Sequence, residues 1–312
     1  MKNVLDYLED AAKVNPNRVA LDDGDGQITY KDLRGLARKV GLFLIEKGFH
    51  NTDKPIGVMA GRDKYTLVLY MGILYSGNFY VPIDPEMKAE KKGKIVEQSG
   101  MELMLSVENG ERFLGQLCGM DEAPKEAFLI EAQVSQLWEF DGIEYDYVSD
   151  MGDKPLYMVY TSGSTGVPKG VLKTHGAMID YVEAFSVAYP YAEHEILGNQ
   201  TPFFFDASAK DIYLMLKNMA TMEIIPTSKF SFPVKLIEYL NEKKVTIISW
   251  VPSALAMLTQ LNAFADIIPT TLKKVFFVGE VFPMSFLSDF RGCSDHPAWQ
   301  VGKEAELFQE LI

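Results

Sequence analysis

The sequence predicts an α/β fold built from layered, mainly parallel sheets that are flanked by helices. Three observations support this prediction. Short apolar runs typical of buried strands alternate with longer segments whose apolar residues recur at helical spacing. Turn-forming residues, glycine above all, separate many of these segments. The chain of 312 residues, 47% of them hydrophobic, is long enough to bury a large core in one large domain or two smaller ones.

The alternation of helix and strand begins at the start of the chain. Apolar residues at helical spacing predict a helix over 4–12, and a turn signal at 15–17 ends it. A strand is predicted at 27–30. The helical pattern that follows, over 33–44, stops at Gly48.

The same alternation continues as far as residue 106. Strands are predicted at 55–60, 80–83 and 103–106, with helices over 65–76 and 87–98 between them. Strands that are joined by helices are typical of parallel sheets, because a parallel pair needs a long crossover connection.

Residues 107–155 give a weaker pattern, richer in acidic residues and glycine, with one apolar run at 127–130. Residues 291–312 lack periodicity, apart from a short helical pattern over 303–312. Between these two regions, helical patterns alternate with apolar runs that predict four more strands, at 195–197, 222–225, 245–250 and 273–278.

Composition argues against several classes of function. A formal net charge of −13 would repel nucleic-acid phosphates, so we expect no nucleic-acid partner. The longest near-continuous apolar run, 65–75, is shorter than the roughly 20 residues that cross a bilayer, so we expect a cytoplasmic protein with no membrane partner. Cys118 and Cys293 are the only cysteines, too few for a disulfide framework or a zinc site, and we expect free thiols and no metal site of this kind.

The most informative stretch is the decapeptide 161–170, which follows the apolar run 156–160. It combines hydroxyl side chains that donate hydrogen bonds, glycines that let backbone amides turn toward an anion, and a lysine. A triphosphate needs these groups. The residues that supply them are Thr161, Ser162, Gly163, Ser164, Thr165, Gly166 and Lys169.

Two other interpretations of this decapeptide are weaker. The P-loop pattern places four residues between its first glycine and Gly-Lys-Ser/Thr, whereas Gly166 is followed by Val-Pro-Lys-Gly. A flexible surface turn would explain the serines and glycines, but it has no need of Lys169 or of two spaced glycines behind a buried strand. We therefore expect the stretch to bind ATP.

The decapeptide resembles the phosphate-loop signature of the adenylate-forming, or AMP-binding, superfamily. Four further stretches resemble other motifs of that superfamily, in the same order: 28–33, 71–85, 204–208 and 276–280. The resemblance spans 1–290 and implies the layered fold of the large N-terminal domain of adenylate-forming enzymes. Within the superfamily the chain looks most like the amino-acid adenylation domains of nonribosomal peptide synthetases and the D-alanine:carrier-protein ligases.

This resemblance implies a reaction in which ATP and an amino acid give an aminoacyl-adenylate and pyrophosphate, followed by transfer to a carrier thiol. ATP and Mg²⁺ are then the implied cofactors. The implied catalytic residues are Lys169, which offsets phosphate charge, Thr161 and Thr165. The implied nucleotide-binding residues are Thr161, Ser162, Gly163, Ser164, Thr165, Gly166, Lys169, Gly279 and Glu280.

Asp206 is the implied substrate residue, because amino-acid-activating members use the aspartate of this motif to hold the substrate ammonium. Three phenylalanines, 203–205, precede it, so we expect its carboxylate to lie in an apolar pocket where a cation offsets the desolvation penalty. The alternative is that Asp206 or Ser208 caps the N-terminus of the following helix.

Other candidate residues have ordinary explanations. In the superfamily the region around Trp250 and Val278 shapes the substrate side-chain pocket, and core packing explains these two residues equally well. His175 is a possible general base, but a solvated residue or one next to the N-cap at the start of the next helix is the better interpretation. Lys210 and Asp211 are expected to face solvent on the helix that follows Asp206.

The chain departs from the superfamily pattern after residue 290. A Tyr-Gly-Pro-Thr-Glu type stretch, which in the superfamily stacks on adenine and supplies a Mg²⁺ ligand, does not occur in these 312 residues, and neither does the small C-terminal domain with its catalytic lysine. We therefore expect an incomplete adenylation domain over 1–290 and an atypical tail over 291–312.

Two interpretations of function follow. One is a truncated amino-acid adenylation enzyme that is inactive without a separately encoded C-terminal half and acts with a carrier protein. The other is a non-catalytic, nucleotide-binding remnant or an interaction subunit that needs a partner chain.

Overall fold

The computed structural model describes residues 2–107, 124, 126–129, 146–162, 168–277 and 300–303. Within these residues the chain forms two mainly parallel sheets with helices packed against them. The predicted fold class is confirmed.

The first sheet has seven strands, and β1 and β2 form its antiparallel pair while the other neighbours run parallel. In spatial order the strands are β13 (Gln300–Lys303), β12 (Lys274–Phe277), β11 (Ile247–Trp250), β9 (Ile196–Asn199), β10 (Thr221–Ile224), β1 (Val19–Asp22) and β2 (Gln27–Thr29).

The second sheet has six strands, and its antiparallel pair, β7 and β8, lies at one edge. In spatial order the strands are β6 (Glu126–Leu129), β5 (Leu103–Ser106), β3 (Pro55–Met59), β4 (Phe79–Ile83), β7 (Pro155–Ser162) and β8 (Pro168–Thr174).

Some of the described helices begin at a side chain that caps the N-terminus. Thr29 and Asp63 accept hydrogen bonds from the backbone N–H groups of Asp32 and Thr66, which caps the second and third helices. The α-helices are α1 (Leu5–Val14), α2 (Tyr30–Glu46), α3 (Lys64–Tyr75), α4 (Ala89–Ser99), α5 (His175–Ala188), α6 (Asp206–Lys217), α7 (Pro233–Glu242) and α8 (Pro252–Gln260). Short 3₁₀ helices occupy Thr227–Ser231 and Ala263–Ala265.

Sequence periodicity located most of the described elements to within a few residues. It missed β1, which is only four residues long and lies between polar turns, and β8, whose exposed residues show no strand alternation. Strand β13 lies inside residues 291–312, the predicted tail, and pairs with β12.

Hydrogen bonds from buried and half-buried polar side chains join parts of the fold that are distant in sequence. The Tyr30 hydroxyl donates to the carbonyl oxygens of Ala220, at 2.6 Å, and Met215. Arg62, just after β3, donates to the backbone oxygens of Asn199, at 2.9 Å, and Ile225, at 2.8 Å. The second of these ties joins the end of a strand in the six-stranded sheet to the ends of two strands in the other.

A buried carboxylate lies in the seven-stranded sheet. Glu223 in β10 accepts a hydrogen bond from the Tyr239 hydroxyl and lies 3.5 Å from Lys243 Nζ, and Asp22 is its register partner in β1. Burial, and to a smaller degree the charge on Asp22, raise the pKa of the Glu223 carboxyl to about 7, against the lowering effects of Tyr239 and Lys243.

The pKa shift of Glu223 predicts a pH-dependent stability. A carboxyl whose pKa is higher in the folded state holds its proton there after the unfolded chain has released it, so its contribution to stability falls as pH rises from about 4.5 to about 7. Glu223→Gln keeps the hydrogen-bonding shape without the charge. We therefore expect the variant to gain about 1–3 kcal/mol relative to wild type between pH 5 and pH 8.

The measurement is urea unfolding at a series of pH values, with Glu238→Gln on the exposed side of α7 as the control. A wild-type minus variant difference that stays constant across this pH range would show that the Glu223 carboxyl does not titrate there.

Candidate active site

Strands β7 and β8 form a hairpin that carries the phosphate-binding candidates. Thr161 pairs with Lys169 near its tip, and both side chains are exposed to solvent. Ser162 is the last residue of β7, and Gly163, Ser164, Thr165 and Gly166 lie outside the described residues. The hairpin therefore holds one hydroxyl and one ammonium at adjacent positions on two paired strands.

Lys169 makes no salt bridge or side-chain hydrogen bond to any residue that the structure describes. The Thr161 hydroxyl lies 3.5 Å from the Lys169 carbonyl oxygen, at the limit of a weak hydrogen bond. Both polar groups thus retain donors that an incoming anion can use.

Asp206 is the first residue of α6. The helix N-cap is Phe205, and no side chain caps it. Ser208 Oγ donates instead to the carbonyl oxygens of Phe205, at 2.7 Å, and Phe203, at 3.3 Å. Neither Asp206 nor Ser208 is therefore the capping residue that the sequence left open as an alternative.

Tyr157 joins the hairpin strand to Asp206. Its hydroxyl, in β7, donates to Asp206 Oδ1 at 2.7 Å. Burial, followed by the charge on Asp206, raises the pKa of the Tyr157 hydroxyl well above its usual value, so the hydroxyl stays protonated and remains a donor. The bond fixes the position of the carboxylate with respect to the strand that leads into the glycine-rich loop, the part of the decapeptide 161–170 that contains Gly163 and Gly166.

Buried tyrosines next to this contact hold Tyr157 and α6 in place. The Tyr157 ring stacks on Tyr80 with centroids 5.4 Å apart, and the Tyr80 hydroxyl lies 3.1 Å from the Tyr213 hydroxyl of α6. Tyr70 stacks on Tyr80 at 4.1 Å and donates to the Phe203 carbonyl oxygen at 3.1 Å. Side chains from β4, β7, α3 and α6 thus determine where the start of α6 lies.

Sequence reasoning did not single out Tyr157 or its tyrosine neighbours. Their only signal was the alternation of buried side chains in the run 156–160, where Tyr157 and Val159 point inward. Which partner the inward tyrosine meets depends on a helix that begins 49 residues later in the chain.

The expected apolar pocket around Asp206 is wrong for the described residues. Phe203 is buried in the core, but Phe205 is 56% exposed and Asp206 is exposed as well. The reason is local geometry: Phe203 precedes the helix and enters the core, whereas Phe205 and Asp206 lie on the open side of the first turn. An incoming ligand can therefore reach the carboxylate directly.

The prediction that Lys210 and Asp211 face solvent is also wrong. Both are almost completely buried, their side-chain charges lie 3.2 Å apart, and Lys210 also contacts the Ser249 hydroxyl of β11. Every residue of α6 from 208 to 216 is buried, so this helix has no solvent-facing stripe over that length. The prediction had assumed a surface helix with one side exposed to solvent.

Trp250 and its neighbour Ser249 point to opposite faces of β11. Trp250 is completely buried, donates from Nε1 to the Gly198 carbonyl oxygen at 2.8 Å, and packs edge-on against Phe230. Ser249 points toward α6. Core packing is thus the observed role of Trp250, while Val278, Gly279 and Glu280 lie outside the described residues.

His175 is the first residue of α5, as expected, but it is not solvated. Its ring is completely buried, and Nδ1 accepts a hydrogen bond from the Val4 backbone N–H at 3.3 Å. Burial lowers the pKa of His175 to about 4, which keeps the ring neutral near pH 7. The contact holds α1 against α5 and leaves no role for the ring in proton transfer at the hairpin.

No helix in the described part of the chain is long and apolar enough to span a bilayer. Among the same residues, no three His, Cys, Asp or Glu side chains come close enough together to form a metal site.

The family model for AMP-binding enzymes matches residues 8–301. The chain belongs to the AMP-binding enzyme family. The predicted superfamily is confirmed, and the β7–β8 hairpin and the start of α6 both lie inside the matched region.

The chain is similar to a synthase and to a carrier protein ligase. Zwittermicin A synthase ZmaJ of Bacillus cereus is 29% identical over 288 residues, which cover 91% of this chain and 52% of ZmaJ. D-alanine–D-alanyl carrier protein ligase of Bacillus velezensis is 27% identical over 283 residues, 90% of this chain and 54% of the ligase. The chain spans about half the length of each of these two relatives.

Solved structures agree on the fold. The crystal structure of VinN superimposes with a TM-score of 0.84 at 22% identity, covering 96% of this chain and 73% of VinN. The N-terminal domain of FACL13 from Mycobacterium tuberculosis gives a TM-score of 0.82 at 21% identity, covering 94% of this chain and 73% of that domain. At this level of identity the likeness shows the fold alone.

The buried Lys210–Asp211 pair generates a prediction about stability. Lys210→Met leaves the Asp211 carboxylate buried without this lysine, and we expect a loss of about 3–5 kcal/mol in the free energy of unfolding. Lys217→Met, on the exposed end of the same helix, removes a surface pair with Glu183 and should cost about 1 kcal/mol or less.

Chemical denaturation of both variants measures the difference. Adding Asp211→Asn to Lys210→Met should recover part of the loss, because it removes a buried charge. Equal costs for the two lysine variants would show that the Lys210 ammonium is not held in the interior.

Proposed function

We propose that this chain binds ATP at the β7–β8 hairpin and an amino acid at Asp206, as the larger part of an amino-acid-adenylating enzyme. The observation that carries the proposal is the Tyr157–Asp206 hydrogen bond of 2.7 Å. It places a carboxylate, the natural partner of an ammonium group, against the same strand that ends in the glycine-rich loop. Tyr157 and Thr161 lie four residues apart in β7, on one face of the strand.

The described residues of the hairpin have the donors that the phosphates of a nucleoside triphosphate need. The Thr161 hydroxyl and the Lys169 ammonium are exposed at the hairpin, and no described carboxylate neutralises Lys169. Thr161, Lys169 and the amides of the glycine-rich loop would hold the phosphate oxygens, each charged hydrogen bond contributing about 1.5–3 kcal/mol. Bound ATP with Mg²⁺ would supply an electrophilic phosphorus and a pyrophosphate leaving group.

The roles proposed for the chain's own residues are binding and positioning. Lys169 offsets phosphate charge as the substrate carboxylate approaches, and Thr161 and Thr165 donate to phosphate oxygens. Asp206, held by Tyr157, binds the amino-acid ammonium and so directs the substrate carboxylate toward the hairpin. Gly279 and Glu280 are proposed to lie beside the nucleotide.

Similar proteins support an amino-acid substrate. One named relative is a D-alanyl carrier protein ligase, and VinN, similar in fold, has been solved with L-aspartate. FmoA3, another fold neighbour at 21% identity, has been solved with AMPPNP. We propose a carrier-protein thiol as the final acceptor, by analogy with the ligase.

The second candidate is a nucleotide-binding protein without turnover. The observation that favours it is the missing Tyr-Gly-Pro-Thr-Glu stretch in 312 residues that span about half of each named relative. Both candidates include an adenylation domain over 1–290 and an atypical segment over 291–312. They differ in whether groups outside residues 1–312 complete the active site.

Binding measurements test the shared part of the proposal. Lys169→Ala should weaken ATP binding about tenfold, because it removes one charge-assisted contact, whereas Lys173→Ala on the same strand should not. Asp206→Asn keeps an acceptor for Tyr157 but loses the charge, so it should weaken amino-acid binding about tenfold and leave ATP binding unchanged. Isothermal titration calorimetry of the three variants with each ligand measures these effects.

Amino-acid-dependent exchange of pyrophosphate into ATP then separates the two candidates. We expect negligible exchange by the 312-residue chain alone. Exchange that appears when a polypeptide with the Tyr-Gly-Pro-Thr-Glu stretch and a terminal lysine-bearing domain is added would favour the enzyme. Vigorous exchange by the chain alone would contradict the expected dependence on a second half, and equal ATP affinity in wild type and Lys169→Ala would contradict the hairpin site.

A further inference from the structure

An open cleft with a volume of about 370 Å³ lies at the carboxyl ends of β9, β10 and β11. Its walls are mainly apolar, and one cationic side chain lines it. The residues that matter most here are Arg62, Gln200, Phe230, Val251, Ala254 and Met257. A cavity of this size is within the range of small-molecule sites in proteins.

The cleft lies on the face of the seven-stranded sheet opposite to α6. Ile248 and Trp250 of β11 pack with residues of α7 and α8 in one core cluster, and Phe230, from the cleft wall, packs against that cluster. Ser249, between them, contacts Lys210 of α6 on the other face. The groups assigned above to ATP and the amino acid do not line this cleft.

The strand order makes this edge of the sheet a favourable place for a ligand. From β9 the chain runs through α6, whereas from the neighbouring strand β11 it runs through α8, which packs on the opposite face. Connections that leave adjacent parallel strands toward opposite faces open a crevice outside their carboxyl ends. The cleft occupies such a crevice.

Arg62 brings a largely desolvated positive charge to this cleft. Its guanidinium donates to three backbone carbonyl oxygens, those of Asn199, Gln200 and Ile225. No Asp or Glu in the described ranges forms a salt bridge with it, and burial lowers its pKa to about 10. Carbonyl dipoles satisfy individual N–H groups but do not cancel a full charge, which is costly to keep away from water.

The three carbonyl oxygens accept from only some of the guanidinium N–H groups. It has five N–H groups, and the three contacts account for one hydrogen of Nη1 and both of Nη2. Two N–H groups remain, the second of Nη1 and that of Nε, and neither has a protein acceptor among the described residues. A structural tie between the two sheets would need neither of these donors nor a cavity with apolar walls beside it.

We propose that the cleft binds a small organic anion with an apolar body, namely an aliphatic monocarboxylate, with its carboxylate at Arg62. Its alkyl chain lies against Phe230, Val251 and Met257, which offer no partner to further polar groups. A nucleotide or a second charged group does not suit these walls, because only one cation is present and the remaining surface is mainly apolar.

Calorimetry with hexanoate and 1-hexanol as probes tests the proposal on the intact chain. We expect a Kd of about 1 mM or tighter for hexanoate, near what eight non-hydrogen atoms can supply. Hexanol keeps the alkyl body but lacks the charge, so it should bind at least about tenfold more weakly. Arg62→Met should abolish this preference for the carboxylate.

Arg62→Met also removes the tie between the sheets, so a second variant is needed in case it does not fold. Ala254→Phe fills the cleft from the first turn of α8 and should weaken hexanoate binding at least about tenfold. Leu261→Phe, at the exposed C-cap of α8, is the matched control and should bind hexanoate as wild type does.

Three outcomes would overturn the proposal. They are equal affinity for hexanoate and hexanol, hexanoate binding that survives Ala254→Phe, and hexanoate binding that saturating ATP abolishes, which would place the anion at the hairpin. Because the cleft and the hairpin involve different residues, loss of hexanoate binding in Ala254→Phe with ATP affinity intact would support the cleft regardless of the proposed adenylation activity.

Discussion

The hydrogen bond from the Tyr157 hydroxyl to Asp206 is the interaction on which the candidate active site depends. Tyr157 belongs to the strand that enters the glycine-rich loop, and Asp206 begins a helix that packs against the other sheet. Without this contact the hairpin and the carboxylate would be two separate surface features. With it, the groups proposed to bind an anion and an ammonium occupy fixed positions on one framework. Because Asp206 is exposed, its charge remains available to a ligand even though its position is constrained.

The surrounding packing makes this contact rigid. The stacked rings of Tyr70, Tyr80 and Tyr157 fill the space between the six-stranded sheet and α6, and the Tyr80 hydroxyl contacts Tyr213 of that helix. On the other side of the helix, the buried Lys210 contacts Ser249 of the seven-stranded sheet. Arg62 joins the strand ends of the two sheets nearby. Buried polar contacts of this kind are directional, so they fix orientation in a way that apolar packing alone does not.

The sequence predicted the features that depend on short stretches of residues, namely most strands and helices and the family motifs. Residues 55–106 gave their strands and helices closely, because polar and turn-forming residues separate the apolar runs there. A phosphate-binding decapeptide and four further motifs in the same order indicated the family. The sequence did not predict that Lys210 is buried or that Asp206 is exposed, because both depend on which surface α6 meets. Tyr157 was missed for the same reason: an inward-facing tyrosine in a strand looks like core until its partner, distant in sequence, is known. Strand β1 was missed because its apolar run, 19–21, lies between polar turn residues on both sides.

A double-mutant cycle on Tyr157 and Asp206 tests the central claim most directly. The free energies of unfolding of wild type, Tyr157→Phe, Asp206→Ala and the double variant give the coupling between the two side chains, free of what each contributes alone, because each single change removes the hydrogen bond. The hydrogen bond predicts a favourable coupling of about 1 kcal/mol or more, since its acceptor is charged and its donor is buried. Additivity of the two single changes within about 0.3 kcal/mol would show that the two side chains do not interact, and the candidate site would lose the contact that assembles it.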